Sequence, residues 1–280
     1  MPKRMTAPDV LNRKGQKPLT MMTAYDYPSA LIADSAGVDM ILVGDSLGMV
    51  VLGYDDTLSV TMDDMIHHTK AASRGAKQAL IVGDMPFMSY NASVEDAVRN
   101  AGRFLQETDA RAVKLEGGKA VLKQVKAIAD AGIPVMGHLG LTPQHVARFG
   151  GFKAQGKTAH AVAEMLKDAL ALQEAGAFGI VLEAVPHEAA QMITEKLDIP
   201  TIGIGAGNST DGQVLVFHDT LGLFDRFVPK FVKQYDKMGP QAVAAIEKYC
   251  EEVESRAFPA PEHTFYMAEE ELETMKFLTL

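Results

Sequence analysis

The strongest constraint on this chain is an alternation of two kinds of segment. Eight short apolar runs recur along it, at Leu19–Asp26, Met40–Ser46, Ala79–Met85, Ala112–Gly117, Pro134–Gly140, Gly179–Val185, Pro200–Gly207 and Val214–Asp219. They are nearly continuous in apolar residues, as strands of a parallel sheet covered on both faces must be. Between them lie helical patterns such as Ser93–Glu107, Lys119–Ala131, Thr158–Ala175 and Glu188–Leu197. Several helical stretches end in Ala-Gly before an apolar residue, at Ala36-Gly37, Ala131-Gly132 and Ala175-Gly176. Glycine there suits a left-handed helix terminus that leads into the next strand.

Eight such units predict a closed (β/α)8 barrel, an α/β fold, rather than an open doubly wound sheet. The seventh and eighth runs lie too close for a full helix, so the barrel should be irregular there. Gln241–Arg256 reads as a closing amphipathic helix, and the acidic tail Glu262–Leu280 reads as peripheral. With 280 residues, one domain over 1–280 is expected, with an N-terminal extension at 1–18 and a C-terminal helix and tail at 239–280. A barrel of about 250 residues plus extensions accounts for that length.

Charge narrows the partners. The 27 basic and 36 acidic residues give a net charge of −9, which argues against a nucleic-acid or anionic-membrane surface. No apolar run approaches the roughly 18 residues a membrane span requires. The first twenty residues are basic but lack the apolar core of a secretory signal. Cys250 is the single cysteine and so forms no intrachain disulfide, which suits a reducing compartment. A cytoplasmic protein is expected.

The carboxylates fall in an unusual place. Four apolar runs end in an acid: Ile-Leu-Val-Gly-Asp45-Ser46, Ile-Val-Gly-Asp84, Val-Lys114-Leu-Glu116 and Ile-Val-Leu-Glu183. In a β/α barrel the C-terminal strand ends form the floor of the active site. Side chains alternate along a strand, so Lys114 and Glu116 share a face, and apolar Val113 and Leu115 assign that face to the lumen. Neighbouring strands lie about 4.8 Å apart, so Asp45, Asp84 and Glu116 should converge. Two carboxylates about 5 Å apart repel by roughly 3 kcal/mol at an effective dielectric near 20. With Lys114 as the counter-charge, either some acids are protonated or a divalent cation sits among them. An all-oxygen set favours Mg2+ over zinc. Any one of these acids could instead cap the helix that follows it.

Other polar features are less specific. Gly203-Ile-Gly-Ala-Gly207 has the wrong spacing for a dinucleotide site; it suits either a phosphate or a tight turn. His138 and His218 end the fifth and eighth runs, each either a donor in the barrel mouth or a satisfied buried histidine. His67-His68 fall on a helix without a second metal-binding pair. The basic, glycine-rich segment Arg148–Lys157 fits a lid or a solvated turn.

A set of ordered motifs carries a resemblance. Thr23-Ala-Tyr-Asp-Tyr27, Val43-Gly-Asp-Ser-Leu-Gly-Met49, Gly83-Asp-Met-Pro-Phe-Met88, Val113-Lys-Leu-Glu-Gly-Gly118 and Gly137-His-Leu-Gly-Leu-Thr-Pro-Gln144 come first. Leu182-Glu-Ala-Val-Pro186, Ile202-Gly-Ile-Gly-Ala-Gly207 and Pro229-Lys-Phe231 follow. The chain resembles the 3-methyl-2-oxobutanoate (ketopantoate) hydroxymethyltransferases from about Leu19 to His263. That resemblance implies a (β/α)8 barrel, Mg2+, and 5,10-methylenetetrahydrofolate as the one-carbon donor. It also implies metal contacts at Asp45, Asp84 and Glu116, directly or through water. Keto-acid contacts are implied at Asp45, Ser46, Asp84 and Lys114, with Glu183 as proton acceptor; His138, by its place at a strand end rather than by the resemblance, is a candidate accessory group. A Mg2+-stabilised enolate, a role in pantothenate biosynthesis and a homodecamer of two pentamers are further implications. Phe152, Ala154, Asp56 and Ser59 depart from the usual family residues, all in loops.

Two rivals remain at this stage. A Mg2+-dependent lyase or mutase of the phosphoenolpyruvate-mutase type would share the barrel and the acids but should carry a reactive cysteine loop. A non-catalytic metabolite-binding barrel would have no use for a separate basic acid.

Overall fold

The computed structural model describes residues 4–149, 151, 154–224 and 226–278. Eight parallel strands close into a barrel in sequence order: β1 Leu19–Thr23, β2 Met40–Val43, β3 Leu80–Asp84, β4 Ala112–Glu116, β5 Val135–Gly140, β6 Ala177–Glu183, β7 Thr201–Ile204 and β8 Gly212–Leu215. β8 returns to pair with β1, Met21 opposite Val214, which closes the cylinder. The expected (β/α)8 architecture is the observed one.

The strand alternation divides the core in two. Inside the lumen, Leu19, Met21, Met40, Leu42, Leu80, Val82, Ala112, Met136, Val181, Ile202 and Val214 pack in layers. Outside, Ile41, Val43, Ile81, Val113, Leu115, Val135, Ile180 and Leu182 face the helices. This partition turns the last inward-facing residue of several strands toward the barrel mouth, and those residues are Asp84, Glu116, His138 and Glu183. Gly83, outward between Val82 and Asp84, has Phe104 against it; a Cβ there would lie 2.3 Å from the ring. The helix Val94–Glu107 can therefore seat closely on β3 only because that position has no side chain.

Local signals set the helix ends. Thr61 and Asp64 form a reciprocal capping box on Met62–Gly75, and Ser93 and Thr158 cap Val94–Glu107 and Ala159–Glu174. Gly132 and Gly176, at φ +84° and +101°, end their helices in the left-handed region as the Ala-Gly pattern predicts. Residues Gly205–Asp211 join β7 to β8 without a helix, matching the expected irregularity.

Three expectations need correction. The run at Val214–Asp219 is not all strand: β8 ends at Leu215, and Phe217–Thr220 form a helical turn. The Phe217 amide donates to Thr23 Oγ1 (3.0 Å), which bends the chain out of the ladder and over the mouth. The N-terminal stretch is more than an extension. Its helix Ala7–Leu11 buries Ala7 and Val10 against the lumen cluster, plugging the barrel at the end opposite the acids. The C-terminal helix forms, over Met238–Glu254, but none of its residues is buried. Val243, Ile246 and Tyr249 are 56%, 62% and 55% exposed, so it does not close this barrel. An amphipathic stripe needs an apolar surface to cover it, and among the described residues the Phe258 ring against Tyr249 leaves most of it open.

Candidate active site

Five polar side chains meet at the barrel mouth because each lies in the later part of a neighbouring strand or just past its end. Asp45, Asp84, Lys114, Glu116 and His138 are all buried, at 1–3% exposure. Register accounts for their pairing: Asp84 lies opposite Lys114, Glu116 opposite His138, and Gly140 opposite Glu183. Lys114 Nζ stands 2.8 Å from Asp84 Oδ1 and 3.8 Å from Glu116 Oε1. His138 Nδ1 is 3.3 Å from Glu116 Oε1, and its Nε2 is 3.3 Å from Glu183 Oε2. The acids do not cap helices. Ser46, Ser93, Gly118 and Pro186 occupy the N-cap positions that follow, which leaves the four carboxylates to the lumen. Ser46 Oγ pairs with the Tyr25 hydroxyl at 2.8 Å.

Electrostatics differ among these groups. Burial, then Asp84 and Glu116, hold the Asp45 carboxyl well above the usual carboxylate range. Burial likewise raises Asp84, only partly countered by Lys114. Glu116 goes the other way, because His138 and Lys114 outweigh its burial. Burial opposes the Lys114 charge, yet Asp84, Glu116 and Asp45 together fix it as an ammonium. Burial and Lys114 push His138 down, but Glu116 and Glu183 prevail and bring it to about 9. His138 is therefore an imidazolium at neutral pH. Its 3.2 Å approach to Lys114 Nζ is a like-charge contact, tolerated because carboxylates flank both. The sequence provides Lys114 as the counter-charge; the fold adds His138 as a second.

One residue absent from the sequence reading holds this arrangement together. Gln144 is 2% exposed; its Nε2 donates to Asp45 Oδ2 (2.8 Å) and to the Met85 carbonyl (2.9 Å). Its backbone amide donates to Glu116 Oε2 (3.1 Å), and its Oε1 accepts from the Tyr90 hydroxyl (2.6 Å). It lies in the quoted motif Gly137–Gln144, but nothing in a lone Thr-Pro-Gln signals contacts this distant in sequence. Replacing Gln144 with methionine keeps the volume and strands Asp45 Oδ2 and the Met85 carbonyl. Each unsatisfied buried group costs about 1–3 kcal/mol, so calorimetry should show unfolding roughly 2–4 kcal/mol easier.

The mouth opens into a cavity with about 1050 Å3 of free space, counting its open end. Asp45, Asp84, Lys114, Glu116, His138 and Glu183 line it together with apolar Val181, Ile204, Val214 and Phe231. Remaining candidates fall elsewhere. Gly205 and Gly207 make room for Phe231 and His187, where a Cβ would come within 2.6 and 2.3 Å, so this glycine run serves close packing. His68 Nδ1 meets the Tyr25 carbonyl at 2.7 Å, a structural contact. His218 sits on the helical turn, its ring 5.5 Å from that of Tyr25. Of the segment 148–157, residues 150, 152 and 153 lie outside the described residues, including Phe152. Cys250 is exposed on the C-terminal helix, away from the mouth, so no cysteine loop of the mutase kind borders the cavity among the described residues.

Fold and mouth together define a (β/α)8-barrel enzyme with a buried carboxylate–lysine–histidine site. Solved structures share the barrel: a phosphonopyruvate hydrolase at TM-score 0.60 and 11% identity, covering 97% of this chain and 95% of that one. A 2,3-dimethylmalate lyase, described as a PEP mutase/isocitrate lyase superfamily member, has TM-score 0.58 and 17% identity, with 97% of each chain covered. Identities this low speak to the fold alone. Sequence relatives are far closer. Residues 4–261 match the family model for ketopantoate hydroxymethyltransferase. The 3-methyl-2-oxobutanoate hydroxymethyltransferase of Syntrophobacter fumaroxidans is 61% identical over 278 residues, 99% of each chain. That of Moorella thermoacetica is 60% identical over 264 residues, 94% of this chain and 98% of its own. The chain belongs to the ketopantoate hydroxymethyltransferase family and is a transferase.

Proposed function

We propose that this enzyme transfers a hydroxymethyl group from 5,10-methylenetetrahydrofolate to 3-methyl-2-oxobutanoate, giving ketopantoate for pantothenate and coenzyme A biosynthesis. The observation that carries this reading is a separation of roles among the four acids. Asp45 and Glu116 are tied together by Gln144, and Asp84 accepts from the Asp45 amide (3.0 Å), whereas Glu183 stands apart and meets the group only through His138. One cluster suits holding an anionic chelating substrate; one separate carboxylate suits taking a proton.

The residues present fit Mg2+. Each clustered carboxylate gives one oxygen to a protein donor: Asp45 Oδ2 to Gln144, Asp84 Oδ2 to the Asp45 amide and Glu116 Oε2 to the Gln144 amide. Of the second oxygens, Asp84 Oδ1 faces Lys114 and Glu116 Oε1 faces His138, so a cation would share these two with the protein's own positive groups and take Asp45 Oδ1 beside them. Among the described residues no three His, Cys, Asp or Glu side chains converge closely enough to enclose an ion alone. A cation here would therefore have to complete its shell with water or substrate oxygens. Asp45, Asp84 and Glu116 would hold it, directly or through water. Bound there, Mg2+ would supply Lewis acidity toward the keto and carboxylate oxygens of the substrate.

The chain's own groups do the rest. Lys114 and Ser46 position the substrate carboxylate and keto oxygen, with the ammonium opposing charge that develops on oxygen. Glu183 takes the C3 proton, and the His138 imidazolium holds Glu183 Oε2 in place. One C–N bond of the folate-borne methylene opens, water adds to that carbon and the second C–N bond breaks to leave tetrahydrofolate; the C3 electron pair bonds to the released carbon, whose oxygen becomes the hydroxyl. The exposed apolar stripe on Met238–Glu254 supports assembly into a homo-oligomer, in the family's case a decamer of two pentamers. Among the described residues no helix is long and apolar enough to cross a membrane, and one exposed cysteine fits a cytoplasmic setting. Incubation with keto acid, methylenetetrahydrofolate and Mg2+ should yield ketopantoate by mass spectrometry, with equimolar tetrahydrofolate. Keto acid returned unchanged, or cleaved, would overturn the proposal.

A further inference from the structure

The cavity is also lined by a carboxylate the mechanism does not use. Asp219, on the turn that follows β8, is 7% exposed and lines the same cavity. Among the described residues its carboxylate has no hydrogen-bond or ion-pair partner. Burial alone raises its carboxyl to about 6, so it is largely ionised at neutral pH. A desolvated anion without a partner is costly, and a fold retains one mainly where something outside the chain completes it.

The chemistry of that missing partner is restricted. Lys114 is the only lysine or arginine lining the cavity, and it is committed to Asp84. The keto acid is itself an anion and cannot face a second one. Around Asp219 the lining is apolar and in part aromatic, with Val214, Val216, Phe227 and Phe231. A flat ring system bearing two adjacent N–H donors matches both features: the donors answer the two carboxylate oxygens, and the ring faces meet the apolar walls.

We propose that Asp219 binds the 2-amino-pyrimidinone edge of the reduced pterin, and so fixes which end of the cavity the one-carbon donor enters. This rests on the folate reading above. The edge presents an exocyclic amine and a ring N–H side by side, the arrangement a carboxylate accepts with both oxygens. The pterin would then stand on the β8 side, with its one-carbon unit directed at the acid cluster and Glu183.

The test is titration calorimetry of the full chain with tetrahydrofolate and with its 2-desamino analogue, for the unaltered protein and for Asp219→Asn. Tetrahydrofolate should bind Asp219→Asn about 10- to 100-fold more weakly, while the analogue, which keeps only the ring N–H donor, should lose clearly less affinity on the same substitution. Equal tetrahydrofolate affinity in the two proteins overturns the assignment but leaves the folate reading standing. Failure of the unaltered protein to bind tetrahydrofolate overturns both. The ligand-free Asp219→Asn protein should melt no lower than the unaltered one. A lower melting temperature, or failure to fold, would reveal a structural partner for Asp219 and overturn the assignment as well.

Discussion

Replacing Glu183 with glutamine is expected to slow exchange of the C3 proton of 3-methyl-2-oxobutanoate into D2O by about 100-fold or more. Exchange in the presence of Mg2+ and without folate isolates proton transfer from carbon–carbon bond formation, and proton NMR reads it directly. The substitution is nearly isosteric, and the Glu183 side chain is 16% exposed at the cavity wall, so the barrel should tolerate it. Glutamine can still accept from His138, which preserves the geometry while removing the proton acceptor. Asp45, Asp84, Lys114 and Glu116 are unaltered, so keto-acid affinity should change little. Exchange within a factor of about two of the parent rate would remove Glu183 from the proton-transfer role and turn attention to the carboxylates of the cluster.

What the chain reveals in advance follows from periodicity. Alternation along a strand is a strictly local property, so Val113-Lys114-Leu115-Glu116 assigns its own lumen face, and eight repetitions imply closure of the barrel. The convergence of Asp45, Asp84 and Glu116 is legible for the same reason, since consecutive strands of a barrel are neighbours. Contacts that depend on loop paths are not legible. Gln144 reaches Asp45, 99 residues away, through the loop after β5, and no spacing rule encodes that meeting. Asp219 was read as the end of a strand because Val214–Phe217 stay apolar, whereas the Thr23 hydroxyl turns the chain at Phe217. The C-terminal helix shows the limit most plainly. Its stripe at Val243, Ile246 and Tyr249 predicts that something covers it, but amphipathicity does not specify which surface, and the Phe258 ring beside Tyr249 leaves all three residues more than half exposed.

Lys114→Met should be the most damaging single change to the fold itself, easing unfolding by roughly 3–5 kcal/mol in metal-free buffer. Methionine matches the aliphatic stem but takes away the ammonium that lies 2.8 Å from Asp84 and 3.8 Å from Glu116. The cost arises less from a lost attraction than from carboxylates left buried beside one another with only His138 to balance them. The pH dependence separates this cause from simple loss of packing. Asp84 and Asp45 already have raised carboxyl values, so in the folded state they bind protons more tightly than in the unfolded chain, and their ionisation lowers stability as pH rises. Without Lys114 both rise further, which makes the penalty at neutral pH larger and leaves it smaller in acid, where protonated carboxyls need no counter-charge. Melting temperatures of the two proteins should therefore lie closer together at pH 5 than at pH 8. A gap that does not vary with pH would mean that the lysine stem, not its charge, supports the mouth. The same variant should lose keto-acid binding at every pH, because the substrate carboxylate would meet an uncompensated acidic wall.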